Sequence, residues 1–351
     1  MILNDSYTHG GDVYRHRVEL DFSANVNPLG TPPEVAAAVA AAARDMSAYP
    51  DPCCGALREK LARACGAAAG DILCGNGAAE LIFQFVSALR PRRALLPVPS
   101  FSEYEAALDA VGCGIEFFPL RREEGFALSG SVLECITPET DVLMLCSPNN
   151  PTGVCVPPAL LEAVLARCRE TGTWLFLDEC FLELTDDGAA ESLIPLLRPG
   201  DRVLLLRAFT KLYGLAGARL GWAVCRCRAL TDAMCRLVQP WNVSSLAQAA
   251  GEAALECGDF VARTRALVAE EKAFLQARLS ALGVAFLPGR ANFLMLSGVP
   301  GLCEALLERG ILIRSCANYR GLGPGDCRIA VRTRPENLRL LEAMEDVLRH
   351  A

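Results

Sequence analysis

Residues 208–222 read AFTKLYGLAGARLGW, and an apolar run, Val203–Leu206, ends just before them. Lys211 therefore follows a strand candidate and sits among small and apolar residues, with Arg219 eight positions later. A desolvated lysine gives up its proton more easily, and its neutral amine attacks carbonyls to form a Schiff base. The position also suits a lysine whose stem packs on apolar surface while its amine reaches water. Taken alone, Lys211 leaves both readings open.

Working outward, short apolar runs alternate with longer helical patterns. The strand candidates are 94–97, 115–119, 142–146, 174–177, 203–207 and 221–224. Helix candidates lie between and before them, at 33–44, 55–65, 79–89, 104–111, 158–170 and 229–238. Such alternation predicts an α/β fold, a mainly parallel sheet flanked by helices. From about residue 246 the pattern changes. Residues 245–282 read as one long helical stretch, broken near Gly258, followed by short strands in VAFLPGRANFLML, ILIRS and CRIAVRT and a closing helix at 335–349. That is a smaller α+β domain. The expected organisation is an arm over 1–30 that joins the small domain, a large domain over 31–245 and the small domain over 246–351.

The chain has 351 residues, 52% of them hydrophobic, and a net charge of −7. It is long enough for a sizeable core and too apolar for disorder. The charge argues against a nucleic-acid surface, though a few arginines still make a local anion pocket. The apolar runs are far short of a membrane span, and the N-terminus lacks a signal-type apolar core, so a cytoplasmic protein is expected. Of the 17 cysteines none is spaced C-x-x-C, and there are only three histidines. We expect no metal site, and cysteines that act as small core residues.

Three further segments carry chemistry. In CGNGAAEL, residues 74–81, small residues lead into an amphipathic helix. Free N–H groups at such a helix start suit a phosphate, although glycines before a helix also make an ordinary turn. In SPNNPTG, residues 147–153, a turn follows a strand and presents asparagine at its carboxyl end, where sheets of this class bind ligands. In WLFLDECF, residues 174–181, Asp178 ends an apolar strand. A carboxylate there needs a partner, and an ion pair or a helix cap would also serve.

In this order the segments resemble the pyridoxal-phosphate enzymes of the aspartate-aminotransferase fold type, fold type I. The resemblance implies a seven-stranded large-domain sheet, a pyridoxal 5′-phosphate cofactor and a homodimer with composite active sites. It implies that Lys211 holds the cofactor as a Schiff base and then shuttles protons. Asp178 would pair with the ring nitrogen, and Asn150 would bond the ring's phenolic oxygen. Ala78, Ala79, Thr210 and Arg219 would bind the cofactor phosphate, and Phe101 would stack on the ring. Tyr49, in SAYPDP, would reach the neighbouring subunit's cofactor phosphate. Phe181 departs from the pattern, because relatives often carry tyrosine there and use its hydroxyl.

Within that family two branches share these segments, the threonine-phosphate decarboxylases and the histidinol-phosphate aminotransferases. HGGDVY at 9–14, DFSANVNPLG at 21–30, Phe181 and Arg332 resemble the decarboxylases. The expected substrate is a small phosphorylated amino acid, L-threonine O-3-phosphate, with Arg314 and Arg328 as the main holders of its phosphate. Motif position adds His9 and Asn27 to that set. Arg332 and Arg334 equally fit a solvated basic edge. Amino transfer from histidinol phosphate is the alternative. A cofactor-binding regulator without catalysis is a third reading, opposed by intact Lys211, Asp178 and Asn150.

Overall fold

Every residue of the Val203–Ala208 strand is buried, and its side chains divide between two cores. Val203 and Leu205 face one, while Leu204 and Leu206 face the other. Each such leucine contributes roughly 1.5–3 kcal/mol by leaving water. A strand covered on both faces has no polar side to show, which is why it reads as a continuous apolar run. Val142–Cys146 and Trp174–Asp178 repeat the pattern.

A computed structural model describes residues 9–350. Of the arm expected over 1–30, residues 1–8 lie outside the described residues, as does Ala351. The large sheet has seven strands, in the order Ile72–Gly75, Gly221–Val224, Val203–Ala208, Trp174–Asp178, Val142–Cys146, Arg93–Val98, Gly114–Pro119. Gly221–Val224 runs antiparallel to both of its neighbours, and the remaining pairs are parallel. Parallel strands joined by crossover helices bring their carboxyl ends to one edge of the sheet. Asp178 is in register with Cys146 on one side and Leu206 on the other. That register sets the ends of three strands beside one another.

In the large sheet, Ile72–Gly75 has no counterpart among the strand candidates. It is four residues long with a mixed burial pattern, too short for alternation to show. The long helical stretch divides into Ser245–Ala254 and Gly258–Ala281. Ser244 caps the first piece by accepting from the Ala247 N–H at 3.2 Å, satisfying one of its free donors.

Four of the remaining strands form an antiparallel sheet, ordered Arg314–Ser315, Cys327–Ala330, Phe293–Ser297, Ala285–Leu287. Leu20–Asp21 pairs in parallel with Ile311–Leu312. Leu20 and Phe22 thereby join a third core with Leu294, Ile329 and Leu341. The N-terminal segment is thus tied to the C-terminal part of the chain and runs back past the edge of the large sheet.

Candidate active site

The Val203–Ala208 strand ends in a single helical turn, Phe209–Leu212. The turn points Lys211 into a cavity of about 440 Å³, with its amine 5.6 Å from the centre of the Phe181 ring. Burial, then the positive charges of Arg328 and Arg219, push the lysine's pKa from 10.5 down to about 8. The side chain is half-buried and lines the cavity. A neutral, nucleophilic amine is therefore accessible near neutral pH.

One wall of the cavity suits a phosphate. The helix Ala78–Leu89 begins there behind Gly77, whose φ is +94°. A Cβ on Gly77 would stand 2.5 Å from Nη2 of Arg219. A Cβ on Gly221 would stand 2.5 Å from the Ala78 nitrogen. Gly77 therefore makes room for the guanidinium beside the helix N-terminus, and Gly221 lets its strand lie close against that helix start. Ala78, Ala79, Thr210 and Arg219 all line this wall. Backbone donors, helix dipole and guanidinium together form an anion cradle.

Asp178 lies at the far end of the floor, only 6% exposed. Its Oδ2 accepts from the Tyr104 hydroxyl at 2.7 Å and its Oδ1 from the Cys180 N–H at 2.8 Å. Burial pushes its pKa above the ordinary carboxylate value, opposed by these bonds and by Lys211. Phe101 forms a side wall, edge-on to Tyr104 at 5.7 Å. Asn150 stands at the turn after Val142–Cys146, its Oδ1 accepting from Nη1 of Arg328. That bond leaves the Asn150 amide nitrogen as a donor for a ligand.

The smaller sheet and the N-terminal segment close the opposite wall with positive charge. Arg314 and Arg328 are both 6% exposed and line the cavity. Arg314 donates to Ser315 O at 2.7 Å and Asn318 Oδ1 at 2.9 Å, and lies over the Tyr319 ring. Arg328 donates to Ser23 O at 2.8 Å, and its buried Nε has no partner among the described residues. His9 pairs with Glu103 at 2.8 Å.

Asn27 does not line the cavity. Its Nδ2 donates to Leu212 O and, at 2.7 Å, to Thr264 Oγ1, while its Oδ1 accepts from the Leu29 N–H at 2.9 Å. Its backbone N–H donates to Lys211 O at 3.0 Å. Asn27 is a clamp beneath the lysine turn, with no polar atom left for a substrate phosphate. Asn25, two residues earlier, is the one that faces the cavity. It is 2% exposed, and both its amide atoms lack partners among the described residues. Sequence reasoning missed it because the two asparagines share one short motif.

Tyr49 also lies away from this chain's cavity. It is 77% exposed and stacks on Trp241 at 4.2 Å. Arg332 and Arg334 pair instead with Glu336 at 2.7 Å and Glu271 at 2.9 Å. Phe181 is buried and packs edge-on against Phe293 at 5.1 Å, so it offers the cavity an apolar face. The 17 cysteines are free thiols. No group of histidine, cysteine or acidic residues suited to a metal occurs among the described residues. No helix among them is long and apolar enough to cross a membrane.

A cavity with a deprotonatable lysine, an anion cradle and a buried carboxylate fits pyridoxal phosphate, which carries an aldehyde, a phosphate and a basic ring nitrogen. The family model for class I and II aminotransferases matches residues 17–344. The chain belongs to that family. It is a pyridoxal-phosphate-dependent enzyme. Among curated relatives of this aminotransferase-family enzyme, threonine-phosphate decarboxylase of Salmonella typhimurium is 40% identical over 338 residues, covering 94% of this chain and 91% of the relative. Histidinol-phosphate aminotransferase of Symbiobacterium thermophilum is 36% identical, covering 92% of this chain and 89% of the relative. The crystal structure of L-threonine-O-3-phosphate decarboxylase from Porphyromonas gingivalis aligns with a TM-score of 0.80 at 26% identity, covering 94% of this chain and 99% of that one.

Proposed function

We propose that this enzyme decarboxylates L-threonine O-3-phosphate, releasing CO2 and (R)-1-aminopropan-2-yl phosphate, the linker of the cobalamin nucleotide loop. The observation that carries the reading is the 40% identity, over 94% of the chain, to a relative bearing that activity in its name. The cavity's chemistry supports it. Arg314 and Arg328 put cations on one wall, His9 lines it too, and Asn25 adds an unpaired amide beside them.

Arg219, Thr210 and the N–H groups of Ala78 and Ala79 hold the cofactor phosphate. Phe101 would pack on the ring, Asn150 would donate to the phenolic oxygen, and Asp178 would keep a proton on the ring nitrogen. The bound cofactor supplies an electron sink for the pair left at Cα when a bond there breaks. Arg314 and Arg328 hold the substrate phosphate and leave the carboxylate without a fixed partner. Holding the substrate by its phosphate in this way would orient it so that its carboxylate, and not its Cα hydrogen, is released. The Lys211 amine returns a proton to Cα. Phe181 provides no hydroxyl to the phenolic oxygen.

We also read the enzyme as a homodimer in which Tyr49 serves the neighbouring site. The exposed Tyr49–Trp241 stack supports this, because large aromatic surface is costly to leave in water. The arm of residues 1–30 and the unit from 246 onward are read as one small domain, supported by the pairing of Leu20–Asp21 with Ile311–Leu312. Seventeen unpaired thiols suit the cytoplasm. The alternative, amino transfer from histidinol phosphate, draws support from the 36% identity to such an enzyme.

The test is a product assay on the purified holoenzyme. It receives L-threonine O-3-phosphate in one reaction and histidinol phosphate with 2-oxoglutarate in another. CO2 from the first without glutamate from the second is the expected result. Glutamate from the second with no CO2 from the first makes the enzyme an aminotransferase.

A further inference from the structure

Phe101, Glu103 and Tyr104 all leave the start of one helix, Ser102–Ala110. Phe101 is the cap residue and Tyr104 lies in the first turn, with their rings edge-on to each other. Phe101 forms a cavity wall, and Tyr104 passes beneath it. The Tyr104 ring has no exposed surface. It is held edge-on by Phe101 at 5.7 Å and 84°, and by Phe176 at 5.7 Å and 62°. Two aromatic contacts thereby aim its hydroxyl at one target, Oδ2 of Asp178, 2.7 Å away.

A buried carboxylate is costly unless both oxygens are hydrogen-bonded. The Cys180 N–H satisfies Oδ1. Tyr104 satisfies Oδ2 and, with that N–H, fixes the plane of the carboxylate. The other titratable groups facing it are the thiols of Cys146 and Cys180 and the amine of Lys211. Burial raises the Tyr104 hydroxyl and both thiols well above their ordinary values. All three stay protonated across neutral pH, so Tyr104 is always a donor.

We propose that Tyr104 is a positioning residue that keeps Asp178 ionised and turned toward the cofactor's ring nitrogen. The inference rests on the placing of Asp178 against that nitrogen proposed above. Without the phenol, the buried carboxylate is stabilised by one donor fewer. The proton shared across the pair then moves from the ring nitrogen to Asp178, and the electron sink weakens. The residue touches neither substrate nor cofactor and acts through Asp178.

The experiment loads the enzyme with cofactor carrying nitrogen-15 in its ring and reads that nitrogen by NMR across neutral pH. Wild type, Tyr104→Phe and Asp178→Asn are compared, with cofactor affinity measured by dialysis. The expected result is a protonated nitrogen in wild type, a shift toward the unprotonated signal in Tyr104→Phe and a larger one in Asp178→Asn. The cofactor's dissociation constant rises about tenfold in Tyr104→Phe, the worth of one hydrogen bond to a charged group. A shift in Asp178→Asn with a wild-type signal in Tyr104→Phe overturns the inference and leaves the Asp178 reading standing. Wild-type signals in both overturn the Asp178 reading and the inference with it. A further variant, Tyr104→para-aminophenylalanine, keeps ring and donor and reports even where Tyr104→Phe does not fold. A wild-type signal from it supports the inference, and a signal like that of Asp178→Asn contradicts it.

Discussion

The guanidinium of Arg219 occupies the space that a side chain on Gly77 would fill, 2.5 Å from where that Cβ would be. The two residues therefore depend on each other. Gly77 takes a φ of +94°, which residues with a Cβ rarely adopt. Gly77→Ala strains the turn by about 1–2 kcal/mol and pushes Arg219 off the helix start. We expect the cofactor's dissociation constant to rise at least about tenfold, as one lost phosphate contact would give. Titrating cofactor into apoenzyme by absorbance measures it, and unchanged affinity contradicts the cradle.

Lys211 sets a pH dependence whose sign follows from its shift. Only the neutral amine attacks the cofactor's aldehyde. With the pKa pushed from 10.5 to about 8, capture of cofactor by apoenzyme should accelerate with pH and level off just above about 8. The unfolded chain holds this proton up to its higher pKa. Between about 8 and 10.5 it binds more protons than the folded chain, and Lys211 makes the apoenzyme more stable as pH rises through that window. Stopped-flow absorbance reads the capture rate. A plateau only at the ordinary lysine value would contradict the desolvation argument. Lys211→Ala should lose the borohydride-sensitive visible band.

Asn27 and Asn25 should separate in kinetics. Asn27 is fully engaged beneath the lysine turn. Asn27→Ala should cost about 1–3 kcal/mol of stability through the partners it abandons, visible as a lower melting temperature, and should reduce kcat more than it raises KM. Asn25→Ala should raise KM for the phosphorylated substrate at little cost in melting temperature. The opposite assignment of KM effects would return Asn27 to the substrate.

Tyr49 stacks on Trp241 at 4.2 Å outside its own cavity. Trp241 has a φ of +59°, an uncommon conformation for a bulky residue. The proposed composite site predicts complementation. Lys211→Ala and Tyr49→Ala are each nearly inactive alone. Mixing and refolding them together gives half heterodimers, each with one intact site, so activity should recover to about a quarter of wild type. No recovery would place Tyr49 outside the partner's site.

The fold was legible in the sequence where burial was complete. Strands such as Val203–Ala208 and Trp174–Asp178 are covered on both faces, so they read as unbroken apolar runs bounded by turns. Ile72–Gly75 escaped because it is a four-residue edge strand that is only partly buried. In the site, Lys211 and Asp178 stand at strand ends, where a polar residue after an apolar run is conspicuous. Asn25 and Asn27 differ only in which way an irregular segment turns them, and periodicity has no hold there. Tyr104 lies in the first turn of a helix that the wall residue Phe101 caps, a placement no periodicity marks.

In the proposed reaction the protein chooses which bond to Cα breaks. The most direct measurement follows the Cα hydrogen. Holoenzyme is given L-threonine O-3-phosphate deuterated at Cα, and the amine product is analysed by mass spectrometry alongside CO2 release. The expected result is one CO2 per amine, with the deuterium retained, because that bond never breaks. Loss of deuterium to solvent without CO2 would show that the Cα–H bond stands across the ring, and would contradict the account.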